Sequence, residues 1–173
     1  MQQRILMLDD EAPLLAALRR ALRAGLGPQV QIETTVDPEE ALALLRQMPF
    51  DVVVSDFRMP LMSGAEFLGL VRSVQPGAVR MILSASSDFA DIMHVVNEVE
   101  IFRYLAKPWD DAELVSQMRQ ALAVADERRS ERELADVGRA QFGWQGTEPD
   151  PAGGLGAPGE APRPDAAGEG KHR

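Results

Sequence analysis

Asp51-Val52-Val53-Val54-Ser55-Asp56-Phe57-Arg58-Met59-Pro60-Leu61-Met62-Ser63-Gly64 is the stretch that decides the fold. Three consecutive β-branched valines mark a strand, Asp51–Ser55, covered on both faces, since a half-exposed strand would alternate apolar and polar residues. The strand delivers Ser55-Asp56 into a segment whose Pro60 and Gly64 interrupt regular structure. A helix is predicted from about Ala65 to Ser73, so a doubly covered strand is followed by a loop and a helix, the local grammar of a parallel sheet.

The same grammar repeats on either side. Upstream, Arg4–Leu8 reads as a short strand and Glu11–Ala24 as a helix with Leu14, Leu15, Leu18 and Leu22 on one stripe, Pro13 near its start and Gly25 at its end. Val30–Thr35 alternates as a strand. Asp37-Pro38-Glu39-Glu40 combines an N-cap, a proline at N1 and an acidic first turn, opening a helix to about Gln47. Downstream, Val79–Leu83 is a strand, Asp88 to about Val96 a helix, Ile101–Leu105 a strand, and a final helix opens at Asp110 or Asp111. Five strands alternating with five helices imply an open parallel sheet wound on both faces by right-handed crossovers. Ligands of such sheets bind beyond the carboxyl ends of the strands.

Those ends carry chemistry. Strand one ends in Asp9-Asp10, strand three in Ser55-Asp56, strand four in Ser84 and strand five in Lys107-Pro108. Three crowded carboxylates repel one another unless a cation neutralises them. A hard divalent cation such as Mg²⁺, which takes oxygen ligands and binds phosphoryl oxygens, meets that need. A carboxylate in the cluster can take a phosphoryl group as an acyl phosphate, with the lysine as its counter-charge and the serine as a hydrogen-bond donor.

The motifs LDDE (Leu8–Glu11), SDFRMPLMSG (Ser55–Gly64), LSAS (Leu83–Ser86) and YLAKPW (Tyr104–Trp109) resemble the receiver domain of bacterial two-component response regulators, in order and spacing, across residues 1 to about 125. The resemblance implies a flavodoxin-like sheet of strand order 2-1-3-4-5. It implies that Asp56 is the phosphoacceptor, and that Asp10, Asp56 and the backbone carbonyl of Arg58 ligate Mg²⁺. Asp9 completes the acidic pocket, chiefly through metal-bound water. Ser84 stands in the place of the family's Ser/Thr switch residue. Lys107 contacts the phosphoryl group, the Lys107–Pro108 bond is cis, Tyr104 is the aromatic that changes rotamer on activation, and Pro60 and Gly64 shape the loop after Asp56. It further implies a partner histidine kinase or histidine phosphotransfer protein and self-dephosphorylation that acts as a timer rather than as enzyme activity.

Each of these residues also has a plainer reading. Asp9 and Asp10 could cap the first helix, Tyr104 could be an ordinary strand aromatic, and Arg58 could either tune the phosphoryl lifetime or be a solvated charge. Trp109 is expected to pack at the start of the last helix and His94 to lie on the surface. The chain also departs from the family pattern: Asn97-Glu98-Val99-Glu100 has no glycine between helix four and strand five, so Asn97 is expected to take the left-handed position.

Composition narrows the remaining classes. With 18 Lys and Arg against 27 Asp and Glu, the formal net charge is −9, unfavourable for binding nucleic acid. Absence of cysteine removes disulfides, thiolate metal sites and cysteine nucleophiles, and two histidines cannot build a multi-histidine centre. No apolar run near the start approaches a signal peptide or membrane span, so a cytoplasmic, membrane-free protein is expected. In residues 126–142, Arg129 and Glu133, and Arg132 and Asp136, are spaced to support a solvated, charged helical extension, with a short coiled-coil segment for homodimerisation or partner docking as its sharper reading. Residues 143–173 hold 8 Gly, 5 Pro and 5 Ala among 31 residues and are expected to be disordered. The 48 residues after 125 leave no second core, so the expectation is a stand-alone receiver whose output is contact with a downstream protein. A phosphate sink or relay without effector, and a scaffold that is never phosphorylated, are the alternatives.

Overall fold

The computed structural model describes residues 2–141. The expected disordered segment 143–173 lies outside the described residues.

Five strands, β1 (Gln3–Leu8), β2 (Val30–Thr35), β3 (Val52–Asp56), β4 (Val79–Ala85) and β5 (Ile101–Lys107), form one parallel sheet in the order β2-β1-β3-β4-β5. Five helices connect and follow them: α1 (Ala12–Leu26), α2 (Pro38–Gln47), α3 (Gly64–Val74), α4 (Phe89–Val95) and α5 (Asp111–Gln141). This is the doubly wound, flavodoxin-like α/β fold. The order reverses between β1 and β3, which opens a crevice at the carboxyl ends of those strands.

Side-chain alternation divides the core into two layers. Ile5, Met7, Val52, Val54, Val79, Met81 and Leu83 face α1 and α5, packing on Leu18, Leu22, Leu114, Met118 and Leu122. Leu6, Leu8, Val53 and Ile82 face α2, α3 and α4, packing on Leu42, Leu45, Phe67, Leu68 and Ile92. Both faces of β3 are therefore filled, and all five of its residues are buried.

Side chains cap two of the helix starts, the first as expected. Asp37 accepts from the Glu39 amide at 2.8 Å and Pro38 opens α2. Ser63 opens α3 through a capping box: its hydroxyl accepts from the Glu66 amide at 3.1 Å, and the Glu66 carboxylate accepts from the Ser63 amide at 2.8 Å. The Ser-x-x-Glu spacing at 63–66 carried that signal and the sequence reading passed over it.

Two expectations change. α1 ends at Leu26 with Gly27 (φ 86°) as the left-handed residue, not at Gly25. Gly25 lies inside the helix because α5 packs against it: a Cβ there would come within 2.3 Å of the Val115 side chain. The left-handed residue before β5 is Glu100 (φ 52°), not Asn97. Its carboxylate is held by Arg72 at 2.7 Å and by Arg80 at 3.1 Å, which fixes the turn without glycine. The charged segment continues α5, which runs unbroken through 31 residues to Gln141.

Beyond Ala125, α5 runs past the amino ends of the strands and is tied there by arginines. Arg129 pairs with Asp51, just before β3, and with Asp126 at 3.1 Å. The Arg132 guanidinium lies over Gly77, where a Cβ would sit 1.7 Å from Nη1. Arg80, at the start of β4, is fully buried; it donates to the carbonyls of Val99 at 2.8 Å and Ala78 at 3.0 Å. Among the described residues no helix is long and apolar enough to cross a membrane.

Candidate functional site: a carboxylate cluster at the carboxyl edge of the sheet

β1 and β3 are adjacent and in register, so their last residues emerge side by side. Asp9 and Asp10 follow β1 and Asp56 ends β3. The three offer carboxylate oxygens within 4.8 Å of one another. Asp9 and Asp56 are buried and Asp10 is exposed. β5 brings Lys107 to the same edge, where its ammonium donates to Asp9 at 2.8 Å and to Asp56 at 3.1 Å. Asp9 also accepts from the Glu11 amide at 2.9 Å, just ahead of α1, but no side chain caps that helix.

The electrostatics follow from this crowding. Burial, opposed by the hydrogen bond from Lys107 and reinforced by the charge of Asp9, holds the Asp56 carboxyl above the ordinary aspartate range. For Lys107, burial alone would lower the ammonium's pKa; the hydrogen bonds and charges of Asp9 and Asp56 outweigh it and raise the value. Three carboxylates against one ammonium leave about two uncompensated negative charges, and the donor set is oxygen only. Both properties fit a hard divalent cation.

The loop after Asp56 is tightly set. The Gly64 amide donates to the Phe57 carbonyl at 2.8 Å. A Cβ on Gly64 would lie 2.1 Å from the Asp56 carbonyl oxygen, so only glycine lets α3 begin this close to β3. The Lys107–Pro108 bond is cis, as expected.

Ser84 and Tyr104 stand apart from the cluster's hydrogen bonds. The Ser84 hydroxyl donates to Asp88, on the short 3-10 turn Ser86–Asp88 that precedes α4. The Tyr104 hydroxyl donates to the Ser84 carbonyl at 3.1 Å, and its ring meets Phe89 edge-on with centroids 6.1 Å apart. Arg58 is neither free nor turned toward the carboxylate cluster: it donates to Asp88 at 2.5 Å and to Asp91 at 2.9 Å. Trp109 packs at the start of α5 and donates to Asp111 at 3.0 Å, and His94 is exposed, both as expected. Asp88 and Asp91 were missed by the sequence reading, which placed Asp88 as a helix start. The spacing of four residues from Ser84 to Asp88 was the available signal.

A parallel sheet of this order with an oxygen-donor cluster at its switch point defines a doubly wound ligand-binding domain. The chain belongs to the response regulator receiver domain family, whose model matches residues 5–119. It is 39% identical over 121 residues to the hydrogenase transcriptional regulatory protein HoxA of Cupriavidus necator, covering 70% of this chain and 24% of that protein. The chain thus spans about a quarter of the length of that relative. Among solved structures it is similar to the signal receiver domain of an HD domain-containing protein from Pseudomonas fluorescens, with 34% identity, a TM-score of 0.67, and coverage of 76% of this chain and 93% of that one. It is also similar to the chemotaxis response regulator CheY4 of Vibrio cholerae, with 26% identity, a TM-score of 0.62, and coverage of 70% and 100%. Receiver domains are phosphoacceptor switch domains of two-component signalling, working between histidine kinases and downstream effectors.

Proposed function

We propose that this chain accepts a phosphoryl group on Asp56 from a phosphohistidine of a histidine kinase or phosphotransfer protein, with Mg²⁺, and signals through contact with a downstream protein. The observation that carries this reading is the juxtaposition at one sheet edge of Asp56, Asp9, Asp10 and Lys107.

Asp9, Asp10 and Asp56, with the Arg58 carbonyl, are the residues that would hold Mg²⁺. Bound there, the ion supplies positive charge against the phosphoryl oxygens during in-line transfer. The Asp56 carboxylate attacks phosphorus; its new O–P bond forms as the P–N bond to the imidazole breaks, and the imidazole leaves with that bond's electron pair. Lys107 orients Asp56 beforehand through its 3.1 Å bond and balances the charge of the product. Ser84 then donates to a phosphoryl oxygen, and Tyr104 reports the change at β5. This shifts an existing equilibrium between arrangements of α4 and β5. Phe89 and Met93 are half exposed on α4, which favours protein contact as output over a pure relay. In this reading residues 1–125 are the receiver and the rest of α5 is an extension.

The test is intact mass after incubation with Mg²⁺ and acetyl phosphate. One phosphoryl adduct is expected, absent in Asp56→Ala and in EDTA. If neither an adduct nor beryllofluoride binding occurs, the non-phosphorylated scaffold replaces this reading.

A further inference from the structure

Asp88 is a charged residue only 4% exposed. A buried carboxylate persists only if paired and hydrogen-bonded. Asp88 divides its two oxygens: Oδ2 accepts from the Ser84 hydroxyl and Oδ1 accepts from Arg58 Nε at 2.5 Å. The second arm of Arg58 reaches Asp91 at 2.9 Å on the first turn of α4. The residue at the switch position, the residue two after Asp56 and the start of α4 are thus joined through one carboxylate.

We propose that Asp88 is a positioning residue that withholds the Ser84 hydroxyl from the phosphoryl site, and that Arg58 is the group whose departure releases it. The proposal rests on the reading of Asp56 as phosphoacceptor. A serine hydroxyl has one proton to donate. While Asp88 accepts it, no phosphoryl oxygen on Asp56 can. Arg58 sits two residues beyond Asp56 with its side chain 65% exposed, so its guanidinium has room to turn. Phosphorylation adds about −1.5 to −2 charges and three strong acceptors. Arg–phosphate pairing is strong and often bidentate, so the new group competes with Asp88 for Arg58. Asp88 then loses its cationic partner, and as an unpaired carboxylate it no longer persists in its buried position against Ser84. Tyr104 is already hydrogen-bonded to the Ser84 carbonyl, so the aromatic is in place before the hydroxyl is released. Asp88 is therefore the remaining hold on the switch.

The test measures beryllofluoride binding with Mg²⁺ by calorimetry on the full chain, for wild type, Asp88→Ala, Ser84→Ala and the double variant. Loss of a charge-assisted buried hydrogen bond corresponds to a gain of about tenfold in affinity for Asp88→Ala. In the Ser84→Ala background the gain should fall below about twofold, because no hydroxyl remains to release. Asp88→Asn keeps the volume and one acceptor and should bind with intermediate affinity. A merely structural Asp88 would give weaker binding when removed. The proposal is overturned if neither variant binds more tightly, or if the gain is equal with and without Ser84. Amide hydrogen exchange of the unliganded chain provides a readout free of any phosphoryl mimic: Asp88→Ala should speed exchange across residues 86–95. A wild-type chain that takes no beryllofluoride sinks the reading of Asp56; unchanged exchange in Asp88→Ala sinks the hold on Ser84.

Discussion

The two edges of the sheet are built from opposite charges and are finished to different degrees. At the carboxyl edge Asp9, Asp10 and Asp56 share one lysine, which leaves negative charge uncompensated. At the amino edge the partners match. Asp51 accepts from the Arg4 amide at 2.7 Å and pairs with Arg129, while its backbone bonds β1 and β4 at 2.9 and 2.8 Å. Arg80 spends its donors on carbonyls and on Glu100. One edge is tied and holds the fold; the other is left in electrostatic tension that a cation or a phosphoryl group relieves. Stability and function are thus separated along the strands, which is how a marginally stable domain can carry a strained site.

The largest effect should come from Arg80→Ala. It removes a buried guanidinium and orphans the carbonyls of Val99 and Ala78, at a cost of about 3–5 kcal/mol in urea unfolding. Mg²⁺ affinity should stay within about twofold of wild type in the folded variant; a clear loss would break the separation of the edges. Gly64→Ala attacks the other edge. Its Cβ overlaps the Asp56 carbonyl, so a cost of about 1–3 kcal/mol is expected. The rate of adduct formation with acetyl phosphate should fall at least tenfold, and an unchanged rate would show that the loop yields freely. Asp51→Ala should cost about 1–2 kcal/mol through its lost bonds to Arg4 and Arg129, with no effect on the adduct.

The smallest effect should have the opposite sign. The Asp56 carboxyl lies above its ordinary range because burial disfavours its charge. Between the unfolded and folded pKa values the native chain binds more protons than the unfolded one, so this group's penalty is present at neutral pH and fades as pH falls through the folded value. Asp56→Asn should therefore raise the thermal midpoint at pH 7 without Mg²⁺, and the difference from wild type should shrink toward acid pH. A lowered midpoint would mean that the Lys107 contact outweighs the burial.

Much of this is legible in the sequence, for identifiable reasons. Val52-Val53-Val54 admits few readings, and strand ends place side chains predictably, so Asp9, Asp10, Asp56 and Lys107 were named and do meet. What escaped depends on partners distant in sequence. Nothing local to Arg80 shows that its donors reach the turn before β5, and nothing local to Glu100 shows two arginines waiting for it. Gly25 looked like a helix end because its contact with Val115 is tertiary. Asp88 reads only as the first residue of a helix, because its partner Arg58 lies thirty residues away.

One more consequence concerns α5. Its 31 residues make a rod of about 46 Å, which begins beside the carboxyl edge and passes the amino edge at Arg129 and Arg132. A rod seated on a sheet is a lever. A tilt of about 5° near Ala125 displaces the backbone at Gln141, about 24 Å farther on, by about 2 Å. In the same tilt Asp111, about 21 Å from Ala125 on the other side, also moves by about 2 Å, so motion beside the carboxyl edge is carried undiminished to the far end of the molecule, with no residue between them changing its conformation.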